Sequence, residues 1–86
     1  STPLHQFLKL EQDLANEVYL RQPFNGQWKE WTWKQAGEEA RRMAAALQAL
    51  HLPKGSHIAI LSKNCAQWMM ADIAIMMAGY VSVPIY

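Results

Sequence analysis

An 86-residue chain can bury only about 60–65% of the surface its unfolded form exposes, which limits it to one small domain or a piece of a larger one. Eight Lys+Arg against seven Asp+Glu leave a formal net charge of +1, so the sequence offers neither the basic field that nucleic-acid binding requires nor an acidic tail. Charge is unevenly spread: after Lys63 the sole charged side chain is Asp72, and a last third facing solvent would not look like that.

In chain order, Leu4, Phe7, Leu8 and Glu11 stand at helical spacing and predict a short amphipathic helix over residues 4–14. "EVYLR" alternates and is β-prone, and Asn25-Gly26 is the preferred dipeptide of a tight hairpin turn, with a returning strand through Trp28 to Trp31. Thr32 followed three residues later by Gln35 is a capping box. Beyond it, Trp33, Ala36, Ala40, Met43, Ala44, Leu47 and Leu50 keep to steps of three and four, opposite Glu38, Glu39, Arg41 and Arg42. Pro53 and Gly55 break that helix. "HIAILS" reads as a strand buried on both faces. "NCAQWMMADIAIMMAG" reads as a helix capped by Asn64, stopped by Gly79 and buried nearly all round, since only Gln67 and Asp72 interrupt its apolar surface. "YVSVPIY" is a second buried strand, and strand, helix and strand with short links make a right-handed parallel crossover unit.

Few residues group into a chemical site. Trp28, Trp31 and Trp33 suit either a stacking platform for sugars or bases or the packing of the hairpin onto the capped helix. Packing is favoured, because the spacing matches a helix start and no basic residues interleave. His5, His51, His57 and Cys65 are the candidate zinc ligands, yet no two stand at the two-to-five-residue spacing of structural zinc sites. "KGS" precedes its strand and so has the wrong order for a phosphate loop. Ser62-Lys63-Asn64 is correctly placed for an anion but has no glycine, which leaves plain capping as the better reading. Asp72 is a single carboxylate on an apolar helix and would need a partner to act as a base. On residue chemistry the chain therefore holds no catalytic, cofactor-binding or metal site. Cys65, a lone thiol, fits a small buried hydrophobe in a reducing cytoplasm. "STPLHQFLKLEQ" lacks the features of a signal peptide. The run Ile73 to Tyr86 is shorter than the roughly 18–20 apolar residues of a membrane span, so no transmembrane segment is expected.

The stretch from "WTWKQAGEEA" to "AGYVSVPIY" resembles the opening of the adenylate-forming superfamily, which contains acyl-CoA synthetases, luciferases and peptide-synthetase adenylation domains. Thr32-Trp33 and the following helix are similar to its "T-Y-x-E-L" element, "LPKGSHIAILSKNCAQW" to "gl-x-x-GD-x-V-A-I-x-x-x-N-x-x-x-W", and "MMAGYVSVPIY" to "LKAGGAYVPLD". The resemblance covers about residues 17–86. Ser56 stands where that family usually has Asp, Tyr80 where it has Gly or Ala, and Tyr86 after "SVPI" looks more like the fatty acyl-CoA ligases. The matching residues, among them Thr32, Gly55, Asn64, Trp68, Gly79 and Pro84, are structural.

The resemblance implies an α/β fold: an N-terminal β-hairpin and helices plus one right-handed parallel βαβ unit, an incomplete piece of a larger N-terminal subdomain. Its parts are a leading helix in residues 1–16, the hairpin in 17–31, a helix in 32–50 and the βαβ unit in 57–86. It also implies a parent fatty acid CoA ligase that uses ATP, Mg2+ and coenzyme A on a fatty acid. The phosphate loop, adenine and ribose contacts and catalytic lysine of that family lie downstream of this segment, so the segment alone is expected to be inactive and to bind none of these cofactors. The parent is expected in the cytoplasm, with peripheral membrane attachment left open, and the isolated segment is expected to self-associate. The competing readings are a small autonomous binding module that uses Trp28, Trp31 and Trp33, and an interaction domain that oligomerises through its uncharged last third.

Overall fold

The computed structural model describes residues 2–61 and 65–86. Thr2 opens helix α1 (Pro3–Asp13): its hydroxyl accepts from the His5 N–H at 3.1 Å, and Pro3 costs nothing in the first turn. Strands β1 (Val18–Phe24) and β2 (Gln27–Thr32) pair antiparallel, with Arg21 opposite Glu30 and Pro23 opposite Trp28. Asn25 and Gly26 link them at φ 49° and 77°, the positive values at both central positions that a type I′ turn demands.

Helix α2 (Trp33–Gln48) begins with the capping box in place: the Thr32 hydroxyl accepts from Gln35 N–H at 3.1 Å, and Gln35 Oε1 accepts from Thr32 N–H at 2.9 Å. Its buried side is Ala36, Gly37, Ala40 and Ala44. Small residues at four-residue steps let a second helix approach closely, and α3 (Ala66–Met77) does so in the most extensive contact between helices in the molecule. One core results, in which Phe7, Trp31 and the α2 alanines join Met70, Ile73, Ala74, Ile75 and Tyr80. Over Gly37 of α2, Arg41 donates two hydrogen bonds of 2.6 Å to the Glu11 carboxylate and ties α1 down.

Strand β3 (His57–Leu61), α3 and β4 (Val81–Ile85) form the parallel βαβ unit, with His57 opposite Val81 and Leu61 opposite Ile85. Helix α3 ends on Gly79 at φ 89°, where Tyr80 N–H donates to Ile75 O and Gly79 N–H to Met76 O, the paired bonds of a Schellman motif.

Four expectations need correction, the first being that β4 is a buried strand: Val81, Val83, Pro84 and Ile85 are exposed. Strand β3 is not buried on both faces: Ile58 and Ile60 are half-buried, whereas His57, Ala59 and Leu61 are exposed, because the sheet has two strands and the α3 side alone is packed. The residue that caps α3 is Cys65, and its side chain makes no capping bond; the expected cap, Asn64, lies outside the described residues. Met69 is exposed as well as Gln67, so the helix is covered on most of its surface rather than nearly all round.

Candidate functional site

In an open α/β sheet, ligands collect beyond the carboxyl ends of the strands. Here that end is the junction where the chain leaves β3 and starts α3. Gln22, on β1, reaches across it: its Oε1 accepts the Ala66 N–H at 2.7 Å and supplies the cap that Cys65 does not. A hollow of about 390 Å³ lies beside this bond, lined by Leu20, Arg21, Gln22, Cys65, Ala66 and Met69. One turn along α3, Trp68 Nε1 is the buried side-chain polar atom that lacks a partner among the described residues; such an orphan donor costs about 1–3 kcal/mol. Ser62, Lys63 and Asn64, the anion-site candidates, lie outside the described residues.

The second polar cluster joins α3 to β4. Ser82 donates its hydroxyl proton to Asp72 Oδ1 at 2.5 Å, which gives the single carboxylate of the helix a partner. Tyr19 is near enough for that carboxylate to act on it: burial first, then the negative charge of Asp72, pushes the phenol above its usual value. Deprotonation of Tyr19 is therefore harder in the folded chain, which suits a packing role and not that of a base at neutral pH.

The three tryptophans do not share a face. Trp33 stacks on Tyr19 with ring centroids 3.9 Å apart, and Phe7 packs against both at 5.7 and 5.8 Å. Trp31 is buried, with Lys29 Nζ 5.1 Å above its ring. Trp28 is 62% exposed on the hairpin, beneath the Arg21 guanidinium at 5.0 Å. Two rings thus fill the seam between hairpin and helices, and the platform reading loses its row. His5, His51 and His57 are exposed and lie on separate elements, and the described residues hold no group of three potential metal ligands.

Sequence reasoning missed Gln22 and the Asp72–Ser82 pair. Gln22 and Ala66 are 44 positions apart, and a polar side chain in a hairpin carries no local mark of such a task. Of the motif residues, Thr32, Gly55 and Gly79 make structural bonds, while Asn64 lies outside the described residues. Thr32 caps α2, and Gly55 N–H donates to Gly79 O at 2.9 Å, locking the turn before β3 to the turn after α3. Ser56, the departure from the usual Asp, donates its hydroxyl to Pro53 O at 2.6 Å, and Tyr80 is buried with its hydroxyl 3.4 Å from Leu47 O.

A hairpin and helix leading into a parallel βαβ unit make an α/β scaffold. Residues 10–86 match the family of AMP-binding enzymes, and the chain belongs to it. It is 32% identical over 76 residues to the long-chain-fatty-acid–CoA ligase FadD15 of Mycobacterium bovis, which covers 88% of this chain and 13% of that protein. Fatty acyl-CoA synthetase A of Dictyostelium discoideum is 38% identical over 61 residues, 71% of this chain and 9% of its own. Among solved structures, a fatty acyl-adenylate ligase from L. pneumophila, in complex with acyl adenylate and pyrophosphate, superposes with a TM-score of 0.84 at 22% identity over 96% of this chain and 15% of that one. The N-terminal subdomain of NpsA from Klebsiella oxytoca superposes with a TM-score of 0.81 at 26% identity, over 96% of this chain and 20% of that one. The chain thus spans about an eighth of the length of the FadD15 relative.

Proposed function

We propose that this chain is the opening part of an AMP-forming fatty acid CoA ligase, which activates a fatty acid carboxylate with ATP and Mg2+ to an acyl-adenylate and then forms the thioester with coenzyme A. The observation that carries the reading is the unbroken family match over residues 10–86 together with the likeness to long-chain ligases. In this reading the segment is inactive alone and binds none of the cofactors itself, and the bonds at Thr32, Gln22, Gly55 and Ser82 hold elements of the segment together. The described residues contain no helix long and apolar enough to cross a membrane. A cytoplasmic enzyme with at most peripheral membrane attachment fits that reading. By itself the chain is expected to associate through the open sheet face, where Leu61, Val81, Val83 and Ile85 are exposed.

The test is to assay the longer polypeptide and the 86-residue chain side by side with ATP, Mg2+, coenzyme A and fatty acids of graded length. The expected result is fatty-acid-dependent release of AMP and pyrophosphate with acyl-CoA formation by the longer polypeptide, and none by the short chain. Release of ADP, or turnover by the short chain alone, would overturn it. Saturable binding of an oligosaccharide that quenches tryptophan fluorescence would favour the binding-module reading instead.

A further inference from the structure

Three carboxylates among the described residues are half-buried: Glu11, Glu39 and Asp72. Arg41 neutralises the first and Arg42 the second, whereas Asp72 has no ion pair among the described residues. Ser82 gives Asp72 Oδ1 a hydrogen bond but no opposite charge, and Oδ2 accepts from none of the described residues. A carboxylate drawn partly out of water with its charge uncompensated is stabilised by a cation that reaches it.

Asp72 also stands in the wall of a pocket. The hollow, about 260 Å³, lies between α1 and α3, with Tyr19 and Trp33 on one side and Leu10, Ile73 and Met76 around it. Helix α1 turns Pro3, Gln6, Phe7 and Leu10 toward it, the three- and four-residue steps of one face, so His5 and Lys9 fall outside the lining. No basic side chain lines the pocket, and Asp72 is its one charged group. Its charge is felt there, because after burial it is the second cause that raises the Tyr19 phenol. The rings of Tyr19 and Trp33, stacked 3.9 Å apart with Phe7 packed against both, give the rest of the wall a rigid apolar surface.

We propose that this pocket binds a primary ammonium group on a short apolar stem, the ammonium against Asp72 Oδ2 and the stem against Trp33, Leu10 and Met76. Other ligand classes fit less well. A bare divalent ion needs several oxygen ligands, and the described residues hold no group of three that could supply them. An anion meets a like charge, and a second cationic group on the ligand finds no second carboxylate in the lining. The site needs nothing from the ligase reading, since every residue it uses lies in this chain.

Calorimetric titration of the longer polypeptide with n-butylammonium at neutral pH tests this, with 1-butanol as the uncharged control of the same length. Butylammonium should saturate one site at least roughly tenfold more tightly than 1-butanol. Asp72→Asn should abolish that preference, while its amide oxygen still accepts from Ser82 and keeps the link to β4. Leu10→Trp, on the 38% exposed face of α1, fills the pocket without touching Asp72 and should weaken butylammonium binding by roughly tenfold or more. In nuclear magnetic resonance spectra the Trp33 indole N–H should shift on binding, and that of Trp28, exposed on the hairpin, should not. Nα-acetyl-lysine N-methylamide presents the same head from a peptide; tighter binding than butylammonium makes the natural ligand a lysine side chain, weaker binding a free amine, and either result supports the ammonium site. No saturable binding of butylammonium, an equal affinity for 1-butanol, a preference that survives Asp72→Asn, binding unaffected by Leu10→Trp, or a shift at Trp28 in place of Trp33 would overturn the proposal.

Discussion

The first fifty residues and the last thirty are built on opposite terms. The first region carries its own fastenings: the caps at Thr2 and Thr32, the bidentate Arg41–Glu11 pair, the Arg21–Glu30 pair at 2.9 Å across the hairpin, and the cluster of Phe7, Tyr19 and Trp33. The βαβ region has one polar side-chain link of its own among the described residues apart from the turn at Ser56, Ser82 to Asp72, and it exposes Leu61, Val81, Val83 and Ile85 on a face with nothing packed against it. Local chemistry secures the one, and the other depends on what lies against it. The borrowed cap on α3 makes the point at one atom: Thr32 caps α2 from the adjacent residue, whereas α3 is capped by Gln22 from a different sheet.

The largest test of that contrast is whether the two regions are one cooperative unit. Met70 is 1% exposed in the core that both share. Met70→Ala should cost about 2–5 kcal/mol, enough to unfold a domain of this size. Urea titration followed by circular dichroism should then show the helical signal of both regions lost together. Survival of α2 after α3 has melted would mean that the regions are separate units.

The two caps come next. Thr32→Ala should cost about 1 kcal/mol and should also reduce the helicity of an isolated peptide spanning residues 32–50. Gln22→Ala should cost a similar amount in the folded chain, by leaving the Ala66 N–H unpaired in a part-buried position. A Gln22→Ala chain as stable as the parent, or a peptide of residues 32–50 whose helicity Thr32→Ala does not change, would erase the distinction between local and borrowed caps.

The smallest effect falls on the open face. Val83 is 37% exposed on the sheet, so at concentrations too low for the chain to associate Val83→Lys should change its stability by no more than about 0.5 kcal/mol. The same substitution in the longer polypeptide should lower the melting temperature by several degrees, because a lysine would be buried there without a partner. A large loss in the short chain would show that the face is already covered.

Much of the first region was legible because its signals are local. Asn25-Gly26 specifies its turn through the sign of φ, the Thr32–Gln35 box specifies a helix start within four residues, and the alanine steps of α2 specify a buried side. The helix and strands of the βαβ unit were equally readable, as was the family to which they belong. The covering was not. "HIAIL" carries the composition of a strand buried on both faces, and it is half-open here because burial is a property of neighbours and not of the strand. In the same way, the last third, with Asp72 its sole charge after Lys63, announced that something should cover it without indicating which edge or face.

From its sequence alone the chain determined where its helices and strands run, where they turn and stop, and that they belong to an AMP-binding enzyme, because caps, turn dipeptides and periodicity act over a few residues. Only the tertiary structure decided which tryptophans are buried, that Gln22 closes α3, and that Ser82 meets Asp72. Those depend on contacts between residues far apart in the chain, for which a local pattern carries no coordinates.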